Sequence, residues 1–320
     1  MLKGLFIQEK KAIRTSRTPF IIKFNSVGSR FYVGMSKGTI WSWDFPSLNF
    51  YKVYNGLESN VYALDISNDD NILIGADSTG NMIAWNTNNG DIIRNFEQKA
   101  DGIKCLTISP DINYILTGEL FGFHRLQLWD LREGTYIRDI TLHRGIITFV
   151  DFIRNGKKII SASIGGKIKI IEFNSKETKN VYKQSKLIFG KVLKKLEYNI
   201  PILAIRICPN EKRFILGDSK GKITLWNLET FEMIKILDSQ VYPIQCIDFS
   251  KSQNLLLSGS KNLDSLRGNI TIWNSENNEK IEKIGIDELN YICFAKRSGT
   301  FLSSSGDSLI RIWEIKEKNS

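Results

Sequence analysis

Histidine is scarce in this sequence: its 320 residues include only two, His124 and His143. Acid–base and nucleophilic catalysis usually depends on histidine, or on paired carboxylates held in a cleft. The two histidines lie in different turns, and no Gly-x-x-x-x-Gly-Lys-Ser/Thr phosphate loop is present. We therefore expect no catalytic residue, no cofactor and no enzymatic activity.

Cysteine is also infrequent, with four residues and no Cys-x-x-Cys pair. With two histidines the chain cannot complete the usual zinc-binding patterns, so no metal site is expected. Cys105 and Cys246 occupy equivalent positions in two similar segments, and Cys208 and Cys293 lie in the same early strand of two others. We expect all four to be buried free thiols that pack as small hydrophobic side chains.

Long hydrophobic runs are missing as well. No stretch approaches the roughly 18 apolar residues of a membrane span, and the first ten residues reach charge too soon for a signal peptide. These absences predict a soluble intracellular protein, cytoplasmic or nuclear, without a membrane partner.

What the sequence does contain is a repeat. The segment Gly221-Lys-Ile-Thr-Leu-Trp-Asn227 recurs with its aromatic residue at Trp43, Trp85, Trp129, Trp273 and Trp313, and a further copy has Ile171 at that place. The gaps between these positions are 42, 44, 42, 55, 47 and 40 residues. A period of about 40 to 45 residues with alternating apolar residues predicts a propeller array of four-stranded blades. The predicted fold is all-β, a single domain over residues 1–320.

Only seven residues follow Trp313, too few for the outer strand of a seventh blade. An open sheet edge invites aggregation, and closed architectures remove such edges. We therefore predict that a strand within residues 1–15 completes the last blade. The widest gap predicts an inserted loop at residues 174–189, between the third and fourth strands of the fourth repeat.

These motifs resemble the WD-repeat propellers, because Trp-Asp or Trp-Asn ends most third strands and the period is near 42 residues. The resemblance covers the whole chain as seven repeats and implies a seven-bladed β-propeller of antiparallel blades. It also implies a hydrogen-bonded set of His, Ser or Thr, Asp and Trp within a blade. His143 has Gly165 and Ile171 in place of two partners, and Asp307 lacks a histidine, so neither is expected to lie in a complete set.

Basic charge is concentrated in two stretches. Residues 1–30 hold seven lysines and arginines against one glutamate, and residues 174–197 hold seven lysines against two glutamates, whereas the whole chain has a net charge of +10. These lysines either keep exposed loops solvated or contact a polyanion, RNA or an acidic protein. The predicted polyanion contacts are Lys176, Lys179, Lys183 and Lys186.

Two enlarged turns join second to third strands, and in WD-repeat proteins such turns face many peptide partners. Exposed aromatic residues and arginine are typical interface anchors. The predicted partner contacts are Phe121, Phe123, Arg125, Asp264 and Arg267, although local packing of these turns is an equal alternative. We expect a monomeric propeller acting as a non-catalytic scaffold for protein–protein interactions within a multi-subunit assembly. The alternative is a ribonucleoprotein or ribosome-associated component that contacts RNA through its basic loops.

Overall fold

A computed structural model describes residues 5–174, 191–250, 254–277, 279–296 and 299–317. These residues form β-strands joined by turns, arranged as seven four-stranded antiparallel sheets. The sheets are the blades of a seven-bladed β-propeller, as the repeat predicts. In the described part of the chain, no helix is long and apolar enough to cross a membrane.

Each of blades 1 to 4 consists of four strands that are consecutive in the sequence. Blade 1 contains β2 (Pro19–Phe24), β3 (Arg30–Met35), β4 (Ile40–Asp44) and β5 (Phe50–Tyr54). Blade 2 contains β6 (Val61–Ile66), β7 (Ile72–Asp77), β8 (Met82–Asn86) and β9 (Ile92–Asn95). Blade 3 contains β10 (Ile103–Ile108), β11 (Tyr114–Glu119), β12 (Arg125–Asp130) and β13 (Thr135–Leu142). Blade 4 contains β14 (Ile147–Ile153), β15 (Lys158–Ser163), β16 (Lys167–Glu172) and β17 (Val192–Glu197).

Blades 5 and 6 follow the same plan, and blade 7 takes its outer strand from the start of the chain. Blade 5 contains β18 (Ile202–Ile207), β19 (Arg213–Asp218), β20 (Lys222–Asn227) and β21 (Met233–Ser239). Blade 6 contains β22 (Ile244–Ser250), β23 (Leu255–Lys261), β24 (Gly268–Asn274) and β25 (Lys280–Gly285). Blade 7 contains β26 (Leu289–Phe294), β27 (Thr300–Ser305), β28 (Leu309–Glu317) and β1 (Leu5–Arg14).

Blade 7 confirms the predicted closure. Strand β1 pairs antiparallel with β28, with Leu5 opposite Glu317 and Arg14 opposite Leu309. Leu5 and Ile7 pack against the buried cluster that includes Trp313. The N-terminal strand therefore covers an edge of β28 that would otherwise expose unpaired backbone groups.

Compact packing divides the chain into two units, residues 1–36, 42–51 and 203–320 in one and residues 37–41 and 52–202 in the other. Blades 6 and 7 lie in the first unit, and blades 2, 3 and 4 lie in the second. Within each unit the core lies between neighbouring blades. In the second unit, for example, Trp129 of blade 3 packs in one cluster with Ile74 and Ala84 of blade 2.

Tryptophan hydrogen bonding differs from blade to blade. The indole of Trp129 donates to Thr117 at 2.8 Å and that of Trp313 donates to Ser303 at 2.8 Å. In blade 6 Trp273 donates to Ser258 at 3.0 Å, and Gln240 donates to the same hydroxyl at 3.0 Å. The Trp-to-hydroxyl half of the family's hydrogen-bonded set, which runs from the third to the second strand, is therefore present in blades 3, 6 and 7, and in blade 6 a glutamine amide takes the histidine's place.

His143 lies outside a complete set, as predicted. Its Nε2 is 2.8 Å from the hydroxyl of Ser161, and its Nδ1 is 3.1 Å from that of Ser163. Burial, followed by the charges of Lys169 and Lys167, lowers the pKa of His143 to about 3. The ring is therefore neutral near pH 7, and its two nitrogens are satisfied by serine hydroxyls rather than by a carboxylate. Asp307 instead bonds to Ser305 and Arg311.

Removing residues 1–14 should lower the melting temperature by about 10 °C or more, because the edge of β28 and the Trp313 cluster lose their cover. Differential scanning calorimetry would measure the change. A variant lacking only residues 1–4 removes none of β1 and serves as the control. Equal melting of the long truncation and the full chain would show that β1 does not stabilise blade 7.

His143→Gln should make the protein less sensitive to acid. Because the pKa of His143 is about 3 in the folded chain and 6.5 ordinarily, the unfolded chain binds more protons between these values. Stability is therefore lost as the pH falls below 6.5. At pH 5 the low pKa of His143 lowers the free energy of unfolding of the wild type by about 2 kcal/mol.

Urea unfolding of both proteins at pH 7 and pH 5 measures this difference. The glutamine of the variant can still bond to Ser161, as Gln240 bonds to Ser258 in blade 6, so both proteins should fold at pH 7. An identical loss of stability at pH 5 in the two proteins would contradict the assignment.

Candidate functional site

The turn between β11 and β12, residues 120–124, presents aromatic rings to solvent. Phe121 is 56% exposed and Phe123 is 76% exposed, and the second is the most exposed aromatic side chain described. Large aromatic side chains are usually covered, and exposed ones supply much of the binding energy of protein interfaces. We define the aromatic turn as Leu120–His124 with its flanking residues Glu119 and Arg125.

Backbone contacts hold the aromatic turn on the loop that precedes β10. Leu120 N–H donates to Gly102 O at 3.0 Å, and Phe121 N–H donates to Asp101 O at 2.9 Å. Gly102 has a φ of +80°, and a Cβ there would lie 2.6 Å from Ser78 O and 3.3 Å from the Phe121 ring. Position 102 therefore requires glycine, because both the backbone conformation and the close approach exclude a side chain.

A buried ion pair fixes the base of the aromatic turn. Glu119 has no exposed side-chain surface, and its carboxylate accepts bonds from Arg125 Nε at 2.7 Å and Arg125 N–H at 2.8 Å. The Glu119 hydrogen bond is the main cause that raises the pKa of Arg125 above its ordinary value. Arg125 also donates to Lys99 O at 3.1 Å, and its guanidinium lies 5.8 Å from the centre of the Phe123 ring.

The structure places three of the predicted partner contacts, Phe121, Phe123 and Arg125, on or beside the same turn. It brings Phe123 and Arg125 together through the cation–π contact, and it directs Phe121 over Gly102. Arg125 is half-buried rather than fully exposed, because Glu119 holds most of its guanidinium. The aromatic turn therefore offers two exposed rings on a base fixed by charge-assisted hydrogen bonds.

Asp264 and Arg267 are exposed on the turn between β23 and β24. Asn262 organises this turn, since its Oδ1 accepts from Asp264 N–H at 2.8 Å and its own N–H donates to Arg267 O at 2.8 Å. Exposed leucines accompany the charges, with Leu263 at 66%. The predicted polyanion contacts Lys176, Lys179, Lys183 and Lys186 lie outside the described residues, as does most of the inserted loop 174–189.

Glu119 is the residue of the site that the sequence analysis missed. A signal was present, because Glu119 ends the second strand of its repeat as Asp77 and Asp218 do in theirs. Asp77 is fully buried and accepts the backbone N–H groups of Glu58 and Ser59 at 3.0 and 3.1 Å. Burial opposes its ionisation, but these donors outweigh burial and lower the pKa of Asp77. An acidic residue at the end of the second strand therefore fixes the adjacent turn or loop through hydrogen bonds.

The cysteines are free, but they are less covered than predicted. Cys246 is buried, whereas Cys105, Cys208 and Cys293 are only half-buried. Burial still raises the pKa of every thiol, to about 11 for Cys208 and about 12 for the other three. The thiols are therefore protonated at neutral pH and poor nucleophiles. The described residues contain no group of three or more His, Cys, Asp or Glu side chains arranged for a metal ion.

Comparisons with known proteins agree with a propeller fold. Residues 166–315 match the family model described as eukaryotic translation initiation factor eIF2A. The chain is 20% identical over 284 residues to autophagy-related protein 16 of Arabidopsis thaliana, which covers 76% of the chain and 53% of that protein. It is 30% identical over 119 residues to protein groucho of Drosophila melanogaster, covering 37% of the chain and 16% of that protein.

These matches, together with the seven four-stranded blades, support the WD-repeat β-propeller family for this chain. The chain spans about half of the length of autophagy-related protein 16 and about a sixth of that of groucho. Within the WD-repeat architecture the aromatic turn is a second-to-third-strand turn, enlarged in this chain by two residues and carrying the exposed Phe121 and Phe123.

Arg125→Met should destabilise this WD-repeat protein by about 3 kcal/mol, because it leaves the Glu119 carboxylate buried without a charge partner. Lys10→Met breaks the exposed Lys10–Glu314 pair and should cost less than about 1 kcal/mol. Urea unfolding measures both. The double variant Glu119→Gln/Arg125→Met should recover part of the loss, and equal small effects of Arg125→Met and Lys10→Met would refute the role of the buried pair.

Proposed function

We propose that this chain is a non-catalytic scaffold that docks a protein partner on the aromatic turn of blade 3. The exposure of Phe121 and Phe123 on a turn fixed by a buried ion pair is the observation that carries the proposal. Rigid anchors lose little conformational entropy on binding, so they contribute more affinity than mobile ones. The WD-repeat relatives support an interaction role, since the fold presents turns to partners while its blades stay fixed.

The turn that carries Asp264 and Arg267 is proposed as a further contact of the scaffold. Its exposed side chains include both signs of charge and the apolar Leu263. Charged residues around an apolar anchor mainly determine specificity and association rate. A partner that binds here therefore needs a small apolar anchor with charges of both signs beside it.

A second candidate function is contact with RNA in a ribonucleoprotein or ribosome-associated assembly. The match of residues 166–315 to the translation initiation factor family supports it, and so does the basic excess of the chain, with a net charge of +10. Binding that weakens steeply with salt is the property that separates RNA contact from an apolar protein contact.

The double variant Phe121→Ser/Phe123→Ser should weaken partner binding by roughly thirtyfold, the effect of losing about 2 kcal/mol of anchor energy. Affinity purification from the native cell with quantitative mass spectrometry identifies the partners that are lost, and calorimetry with a purified partner measures the affinity. The melting temperature should change little, because both rings are already exposed.

The matched control is Ile93→Ser/Ile236→Ser, which removes two exposed apolar side chains from the outer strands β9 and β21. A partner that is lost from both double variants would indicate nonspecific association with exposed apolar side chains. Retention of every partner by Phe121→Ser/Phe123→Ser would reject the aromatic turn as the docking site, and loss with Asp264→Ala/Arg267→Ala alone would assign docking to the other turn.

A further inference from the structure

Four cations gather at one end of the outer strands of blade 4, and we call them the blade-4 basic cluster: Arg144, Lys167, Lys169 and Lys195. Arg144 lies in the loop after β13, and its charge acts on Lys195. Lys167 and Lys169 lie on β16, and Lys195 lies on β17. Lys169 is directly opposite Lys195, and Lys167 is opposite Glu197. Side chains opposite one another on adjacent strands have Cβ atoms about 5 Å apart, so strand pairing places these charges side by side.

Glu197 is the carboxylate within the cluster, and two lysines share one of its oxygens. Lys195 Nζ lies 2.6 Å from Glu197 Oε1, and Lys167 Nζ lies 3.3 Å from the same atom. Lys169 instead donates to neutral groups, the hydroxyl of Thr141 at 2.7 Å and the carbonyl of Leu142 at 2.5 Å. One negative charge therefore faces four positive ones.

Neighbouring groups respond to this excess of positive charge. Burial, then Lys195 and Lys167, lower the pKa of Lys169. Lys169 and Lys167 contribute, after burial, to the low pKa of His143. The lysine charges, which come after burial among the causes of both shifts, create a positive potential that favours an added anion.

The cluster is exposed where an extended ligand could reach it. Arg144 is exposed, and Lys195 keeps 44% of its side-chain surface open although it contacts Glu197. The four residues include no aromatic side chain, and the exposed apolar side chains around them are Leu142 and, on β17, Val192 and Leu193. A ligand that binds by backbone charge alone fits this chemistry better than a peptide that needs apolar pockets.

We propose that the blade-4 basic cluster binds the phosphate backbone of single-stranded RNA. The proposal rests on the second candidate function and assigns it to residues that are distinct from Lys176, Lys179, Lys183 and Lys186. The cluster lies at the Lys167–Glu197 end of the β16–β17 hairpin, whereas the inserted loop joins the Glu172 and Val192 ends. A strand held by the cluster contacts phosphates without reading bases.

The test is fluorescence anisotropy of a fluorescein-labelled 20-nucleotide oligouridylate with the full chain at several salt concentrations. Arg144→Gln/Lys195→Gln should raise Kd about five- to tenfold at 50 mM salt and reduce the slope of log K against log salt by about 1.4, because two phosphate contacts are lost. Lys220→Gln/Lys235→Gln removes the same charge from exposed positions of blade 5 and should leave Kd within twofold of the wild type. Melting temperatures of both variants should match that of the wild type.

The outcomes separate this assignment from RNA binding itself. Absence of RNA binding by the wild-type chain overturns both the second candidate function and the cluster. Suppose that Arg144→Gln/Lys195→Gln leaves RNA binding intact, whereas replacement of the four loop lysines by glutamine abolishes it. That result overturns the cluster alone. Equal losses in the blade-4 and blade-5 variants also overturn it, since they indicate net charge. If the chain binds a 20-residue oligoglutamate more tightly than the RNA, the ligand of the cluster is an acidic protein and the RNA assignment is wrong.

Discussion

The pairing of β1 with β28 joins the two ends of the sequence and completes the seventh blade. The other pairings recorded within the blades join strands that follow one another along the chain, whereas this one joins residues about 300 positions apart, Leu5 with Glu317 and Arg14 with Leu309. Loop closure entropy grows slowly, by about 0.6 kcal/mol per doubling of loop length, so a closure over the whole chain is thermodynamically feasible. It protects the edge of β28 and covers Trp313 with Leu5 and Ile7.

The need to pair particular buried polar groups accounts for two differences between the blades. In blade 4 the usual tryptophan is Ile171, and the His143 ring is satisfied by Ser161 and Ser163. In blade 3 a buried Glu119 is neutralised by Arg125, and this pair fixes the turn that presents Phe121 and Phe123. In blade 4 the serine contacts therefore replace the regular hydrogen-bonded set, whereas in blade 3 the ion pair stands beside the retained bond from Trp129 to Thr117.

The two proposed surfaces differ in chemistry. The aromatic turn offers exposed aromatic rings with a half-buried arginine, which suits a protein partner, whereas the blade-4 basic cluster offers a concentration of positive charge without aromatic rings, which suits a polyanion. Both belong to the unit that contains blades 2 to 4. A scaffold with surfaces of different chemistry can bind a protein and a nucleic acid without competition for the same residues.

The sequence by itself determined the all-β fold, the seven repeats and the closing strand, because the spacing of residues such as Trp85, Trp129 and Trp313 records a local periodic requirement of each blade. For Phe121 and Phe123 the sequence left partner contact and local packing as equal alternatives, and the structure shows both rings exposed. Only the tertiary structure decided which groups meet: the Glu119–Arg125 pair, the serine partners of His143 and the juxtaposition of Lys169 with Lys195. Those contacts depend on strand register, because a shift of one residue moves every side chain of a strand to the opposite face of the sheet. The repeat period gives the spacing of the blades but does not specify which side chains meet.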